Sequence, residues 1–209
     1  MIIQVIGLPG SGKTTFAKAL SNRINAIHLN ADEVRADLNK DLGFTSEDRI
    51  EQSRRMGALS RLLAKQGYHV VADFVNPTNE TRAAFGKPDK VVWMKRKPVR
   101  DFPDTTALWE WPKNVDLAFD DMQEAEDAAR IACVDFKLHD WKKPTTLMLG
   151  RYQPWHEGHH ALYEEAGKRT NQVLLGVRNT HGTSIKDPLT FEEVKEYISK
   201  DPEIGRAHV

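Results

Sequence analysis

One octapeptide limits what this chain can fold into more than anything else in it. Gly7-Leu8-Pro9-Gly10-Ser11-Gly12-Lys13-Thr14 has the spacing G-x-x-x-x-G-K-[ST], and it lies between an apolar β-run, Met1 to Ile6, and a helical pattern, Lys13 to Arg23. Glycines let successive backbone N–H groups turn inward, and the start of the following helix adds partial positive charge. Such a loop suits the oxygens of a phosphate chain.

Placed between strand and helix, the segment reads as a P-loop that binds ATP through Gly7, Pro9, Gly10, Ser11, Gly12, Lys13, Thr14 and Thr15. Lys13 is expected to neutralise the β- and γ-phosphates, and the Thr14 hydroxyl to ligate Mg2+. Transfer of a phosphoryl group also needs a carboxylate near the acceptor hydroxyl and often one near the metal. Asp32 and Asp73 each follow or end a predicted parallel strand, so both should emerge at the carboxyl edge of the sheet, where open α/β sheets place ligands. Asp32 is read as the acceptor-side base or Mg2+-shell residue, with a helix N-cap as its alternative. Asp73 is read as a Walker-B-like aspartate, with a structural hydrogen-bonding role as its alternative. The catalytic set is then Lys13, Asp32 and Asp73, and the metal set Thr14 and Asp32.

Further β-runs at Ala26 to Leu29, Tyr68 to Val75 and Lys90 to Met94 alternate with a long amphipathic pattern, Asp48 to Gln66, which Gly67 closes. Val115 to Phe119 is a short strand candidate and Met122 to Cys133 a closing helix. Repeated βα units predict an α/β fold, a P-loop NTPase with a doubly wound parallel sheet. Lys95 to Pro112 breaks the pattern and is either a flap over the site or a connector whose Trp109 and Trp111 pack on the core. Lys142-Lys143-Pro144 marks a boundary, giving a kinase domain over 1–141 and a second unit over 145–202.

With 30 basic and 30 acidic residues the chain has no basic field to attract nucleic acid, so the partners expected are small-molecule nucleotides. No apolar run reaches the roughly 18 residues of a membrane helix. The single cysteine, Cys133, reads as a buried structural thiol in a cytoplasmic protein, and the N-terminus shows no export signal. Homodimerisation stays open.

Asn30-Ala31-Asp32-Glu33-Val34-Arg35, Leu38 to Phe44, and Asp48 to Gly57 resemble, in register, the adenylylsulfate kinases, over about residues 1–82. The resemblance implies transfer from ATP with Mg2+ to adenylylsulfate, giving 3′-phosphoadenylylsulfate. By position, Arg35 and Arg49 would hold the phosphosulfate, Phe44 would stack on adenine, and Gln52, Val75 and Asn76 would complete the acceptor site. This chain departs from the family at Asn30-Ala31-Asp32-Glu33, at Gln52, and at Asp73-Phe74-Val75-Asn76-Pro77, all on the acceptor side; the family's basic lid sequence is not recognisable. Asn30 to Arg35 and Val70 to Arg82 also look somewhat like 5′-polynucleotide or nucleoside kinases. A nucleotide-binding regulatory switch is a reading of another class, though a switch has no need of an acceptor pocket.

Gly150-Arg151-Tyr152-Gln153-Pro154-Trp155-His156-Glu157-Gly158-His159 follows an apolar strand, Thr146 to Leu149, and precedes a helical pattern, Ala161 to Arg169. It resembles the nucleotidylyltransferases with an H-x-G-H signature, closest to the nicotinamide-mononucleotide adenylyltransferase branch. The resemblance implies a partial Rossmann-like unit in which His156 and His159 meet a triphosphate, with Gly150, Gln153 and Gly158 shaping the turn. A complete unit of that kind needs further βα units and a later basic motif, and about sixty residues follow Lys143, so the unit reads as unfinished and no adenylyl transfer is expected. Residues 203–209 look like a translated adapter oligonucleotide, a non-native tail, with the native reading frame breaking near Ser199 to Pro202.

Overall fold

The computed structural model describes residues 1–96, 103–120, 124–200 and 204. Contacts divide the chain into two compact units, Met1–Ala132 and Cys133–Val209.

In the first unit, β1 (Ile2–Gly7) runs into the glycine loop and α1 (Lys13–Ile24), followed by β2 (Ile27–Asn30), α2 (Ala31–Asp37) and α3 (Ser46–Lys65). Next come β3 (Val70–Asp73), α4 (Asn79–Phe85), β4 (Lys90–Met94), α5 (Pro103–Ala107), β5 (Leu117–Phe119) and α6 (Ala125–Asp135), the last of which crosses the division between the units. The strands form one parallel sheet in the order β2-β3-β1-β4-β5. β1 sits at its centre and is buried along its whole length, as the two-sided burial of a parallel sheet demands.

Burial explains why these segments become these elements. Ile2, Val70 and Ala72 meet Met56 of α3 and Phe85 of α4 in one cluster, while Phe16 of α1 packs its ring 5.5 Å from that of Phe119. α3 opens on a capping box in which the Thr45 hydroxyl accepts from Asp48 N and Asp48 returns to Thr45 N. Past its end Gly67 takes φ +93°, the left-handed turn expected of it.

The tertiary ladder corrects the predicted bounds. The run Tyr68 to Val75 pairs only over Val70–Asp73, so Phe74 and Val75 leave the sheet at its carboxyl edge. The closing helix spans Ala125–Asp135, and Met122 lies outside the described residues. In the Lys95 to Pro112 segment residues 97–102 are likewise outside them. Of the rest, Trp109 stacks 6.3 Å from Trp93 and Trp111 meets Trp93 edge-on at 5.1 Å, but Trp111 is 73% exposed and so does not pack on the core as the connector reading expects.

In the second unit, β6 (Thr146–Gly150) and β7 (Val173–Val177) pair in parallel, with α7 (Glu157–Thr170) between them and α8 (Phe191–Ser199) after them. Its core gathers Met148, Trp155, Leu175, Val194 and Ile198. The expected tail, 203–209, falls outside the described residues except for Ile204, which is buried. Cys133 is buried, as read. Among the described residues no helix is long and apolar enough to cross a membrane.

Candidate active site

Three strand ends converge at the carboxyl edge of the first sheet. β1 delivers the glycine loop, β2 ends at Asn30, and β3 ends at Asp73, which the register places directly beside Asn30. Gly10 and Gly12 take φ +76° and +86°, which a side chain would resist, and so let the loop curl over the start of α1. Gly7 is required for another reason: a Cβ there would stand 2.5 Å from Met94 O on β4.

Lys13 lies across this loop, its Nζ donating to Leu8 O at 2.8 Å. Burial lowers its pKa to about 8, against the opposing pull of Asp73 and Asp32. A cation held at such electrostatic cost suits a polyanionic ligand. Thr14 Oγ1 donates to Asp73 Oδ2 at 2.7 Å and accepts from Asn30 Nδ2 at 3.2 Å. Ser11 Oγ is buried with no partner among the described residues, and Thr15 is exposed in the first turn of α1.

Asp73 is 1 % exposed and collects donors from three residues: Thr14, Asn30, and His28, whose Nε2 stands 2.5 Å from Oδ1. Neither His28 nor Asn30 was among the predicted site residues. The only local signal was an asparagine at a strand's carboxyl end. Asp32 is not the cap of α2, because Asn30 Oδ1 accepts from both Asp32 N and Glu33 N; its side chain lines the cleft from the first helical turn.

That cleft, of about 450 Å³, is lined by Lys13, Thr14 and Asp73 together with Arg35, Phe44 and Arg49. Phe44 is 68 % exposed, with the guanidinium of Arg35 4.8 Å and that of Arg49 5.8 Å from its ring centre. Arg35 also donates to Gly43 O, and burial lowers its pKa from the usual arginine value, with Asp32 opposing. Arg49 Nε donates to Phe44 O at 3.1 Å. Gln52 lines the cleft with its amide already engaged, accepting from Asn39 and donating to Ala31 O. Val75 and Asn76 also line the cleft. Asn76 is buried at φ +47°, and its Nδ2 has no partner among the described residues. Arg54 and Arg55 both pair with Glu51, and Arg55 also holds Asp41.

In the second unit His156 caps α7, its Nδ1 accepting from Gly158 N at 3.1 Å. The His159 ring stacks 3.9 Å from that of His156, and burial followed by the neighbouring His156 lowers its pKa. A Cβ on Gly158 would lie 3.1 Å from the His156 ring, so glycine here accommodates the imidazole. At Gly150 an added Cβ would meet the Tyr152 ring at 2.7 Å. The Gln153 amide is committed to both backbone groups of Leu189.

Residues 1–91 match the family model described as adenylylsulphate kinase. The adenylyl-sulfate kinase of Bacillus licheniformis is 44% identical over 86 residues, 39% of this chain and 44% of that protein. Adenylyl-sulfate kinase 3 of Arabidopsis thaliana is 40% identical over 88 residues, 40% of this chain and 42% of its own. The chain thus spans less than half the length of these curated relatives. Among solved structures, the Mycobacterium tuberculosis APS kinase CysC in complex with AMPPNP and APS is 26% identical at a TM-score of 0.57, over 65% of this chain and 96% of that one. A sugar kinase from Janibacter sp. HTCC2649, 18% identical at a TM-score of 0.53, shares the fold. The P-loop NTPase fold follows from the parallel sheet together with these neighbours. The adenylylsulphate kinase match takes in the glycine loop, both aspartates and the Arg35, Phe44 and Arg49 group. Thr105, which also lines the cleft, and the tryptophans of the connector lie beyond it.

Proposed function

We propose that residues 1–141 form an ATP-dependent kinase that phosphorylates a hydroxyl of a small nucleotide-like acceptor, with adenylylsulfate as the acceptor that fits best. The observation that carries this reading is that one cleft is lined both by Lys13, Thr14 and Asp73 and by Arg35, Phe44 and Arg49. A phosphate chain cradled by the loop would lie with its terminal group toward the two arginines and the aromatic ring. That pairing suits an anionic acceptor carrying a base.

Mg2+ fits the donors present. The Thr14 hydroxyl gives its proton to Asp73, which leaves an oxygen lone pair to turn into the cleft, and Asp32 adds a hard carboxylate at its rim. When bound, the ion would neutralise charge on the phosphate oxygens. Lys13 would exchange its bond to Leu8 O for the β- and γ-phosphates. Arg35 and Arg49 would orient the acceptor, and Asp32 would accept the proton of its hydroxyl.

For residues 145–202 we propose a nucleotidylyltransferase-like unit. The start of α7, capped by His156 whose ring stacks on that of His159, supports a phosphate-facing role for that pair.

The test of the kinase reading is ADP release measured with adenylylsulfate, nucleosides and 5′-hydroxyl oligonucleotides, for the wild type and Lys13→Ala. Stimulation by adenylylsulfate that disappears in Lys13→Ala is the expected result. Turnover indifferent to every acceptor would overturn it in favour of a nucleotide-driven switch.

A further inference from the structure

We propose that His28 is a positioning residue for phosphoryl transfer, fixing the plane of the Asp73 carboxylate so that Thr14 presents its hydroxyl oxygen to a magnesium-bound nucleotide. The proposal rests on the kinase reading above.

The geometry starts from the pleat. His28 and Asn30 are two residues apart on β2, so their side chains leave the same face of the sheet, and β3 pairs alongside with Asp73 opposite Asn30. Both side chains reach that one carboxylate. His28 Nε2 lies 2.5 Å from Oδ1, while Asn30 Nδ2 lies 3.2 Å from each carboxylate oxygen. A carboxylate only accepts, so His28 Nε2 carries the proton of this bond. Oδ2 is left for Thr14, 2.7 Å away.

The His28 bond is what orients the group. The terminal torsion of aspartate is a soft one, and among the described residues the other donor to Oδ1 is an asparagine shared between both oxygens at longer range. Rotation of the carboxylate would redirect the Thr14 proton, and with it the lone pair available to the ion. His28 therefore acts through Asp73 and Thr14, without touching the ligand. The side chain is 14% exposed, so nearby water offers little substitute.

Calorimetry of ADP and of a non-hydrolysable ATP analogue, each with and without Mg2+, tests this on the full chain with His28→Leu, His28→Asn and His28→Gln. Circular dichroism serves as the check on folding. Glutamine reaches as far as Nε2 and carries a donor; asparagine falls short. We expect His28→Leu and His28→Asn to lose about tenfold in magnesium-dependent affinity, the size of one charge-assisted hydrogen bond, with magnesium-free affinity changed less than about twofold. His28→Gln should recover most of the loss. Equal weakening with and without the ion would overturn the proposal in favour of a packing role, as would wild-type behaviour in all three variants. If His28→Leu does not fold, the contrast between glutamine and asparagine decides. A wild type with no magnesium-dependent nucleotide affinity would instead reject the kinase reading itself.

Discussion

The Thr14 hydroxyl donates to Asp73 Oδ2 at 2.7 Å, across 59 residues of sequence. This bond joins the end of the glycine loop to the end of β3, and it makes the aspartate part of the phosphate site. Asp73→Asn would put an amide where an acceptor is needed and set it against Asn30 Nδ2. Turnover should fall about a hundredfold or more, with a smaller change in the KM for acceptor, as expected when charge organisation in the transition state is lost. Steady-state kinetics with both substrates varied checks this split.

Lys13 should make the ligand-free protein less stable than it could be. Burial lowers its pKa from 10.5 to about 8, so between those values the unfolded chain holds a proton that the folded one has released. Stability therefore rises with pH through that window, and below pH 8 the folded state carries the full cost of the buried charge. Lys13→Met should stabilise the first unit at pH 7 by on the order of 2–3 kcal/mol, a gain that shrinks toward pH 10, while abolishing stabilisation by ATP. Hydrogen exchange of the β1 and β3 amides across this pH range measures it.

Lys13, Thr14 and the helix behind them were legible in the sequence because loop, strand and helix chemistry all act within a dozen neighbouring residues. Asp73 was legible only as an aspartate at a strand end. What it touches depends on the order in which β1, β2 and β3 lie side by side, and no local pattern states that order. His28 was invisible for the same reason: one histidine in a β-run has no signature, and its partner is 45 residues away. α2 and α4 were missed because seven residues give too few turns for periodicity to show. Their caps, Asn30 and Thr78, were the available signals. Asn76 could be assigned by resemblance, but its buried left-handed backbone and unpartnered amide could not be foreseen.

Phe44 separates acceptor binding from folding. It is largely exposed, with two arginine side chains over its ring, so Phe44→Ala should leave stability within about 0.5 kcal/mol of wild type. Loss of a base-stacking surface is worth roughly 1–3 kcal/mol, so the KM for a base-carrying acceptor should rise by about tenfold, with the KM for ATP unchanged. An acceptor KM that does not move would remove the ring from the acceptor site.

Gly57→Ala sets a propensity gain against a collision, and the collision should win. Alanine is favoured over glycine inside a helix by about 1 kcal/mol. A Cβ at Gly57 of α3, however, would stand 1.9 Å from Phe85 O and 2.8 Å from Phe85 C, backbone atoms that cannot rotate away. The two helices would have to separate, which strains the bond from Arg61 Nη1 to Phe85 O, now 2.6 Å, and loosens Phe85 from the core. Overpacking of this kind costs about 1–3 kcal/mol even after relaxation. α4 starts just beyond Asn76 and Pro77, so its displacement should shift that wall of the cleft and raise the acceptor KM. The glycine loop, carried by β1 and α1, should keep its nucleotide affinity. Gly67→Ala is the control: its added methyl would have nothing within 4 Å, and only the cost of its positive φ applies. Denaturant unfolding together with acceptor and nucleotide titrations of both variants tests the claim, and a Gly57→Ala protein as stable as the Gly67→Ala control would refute it.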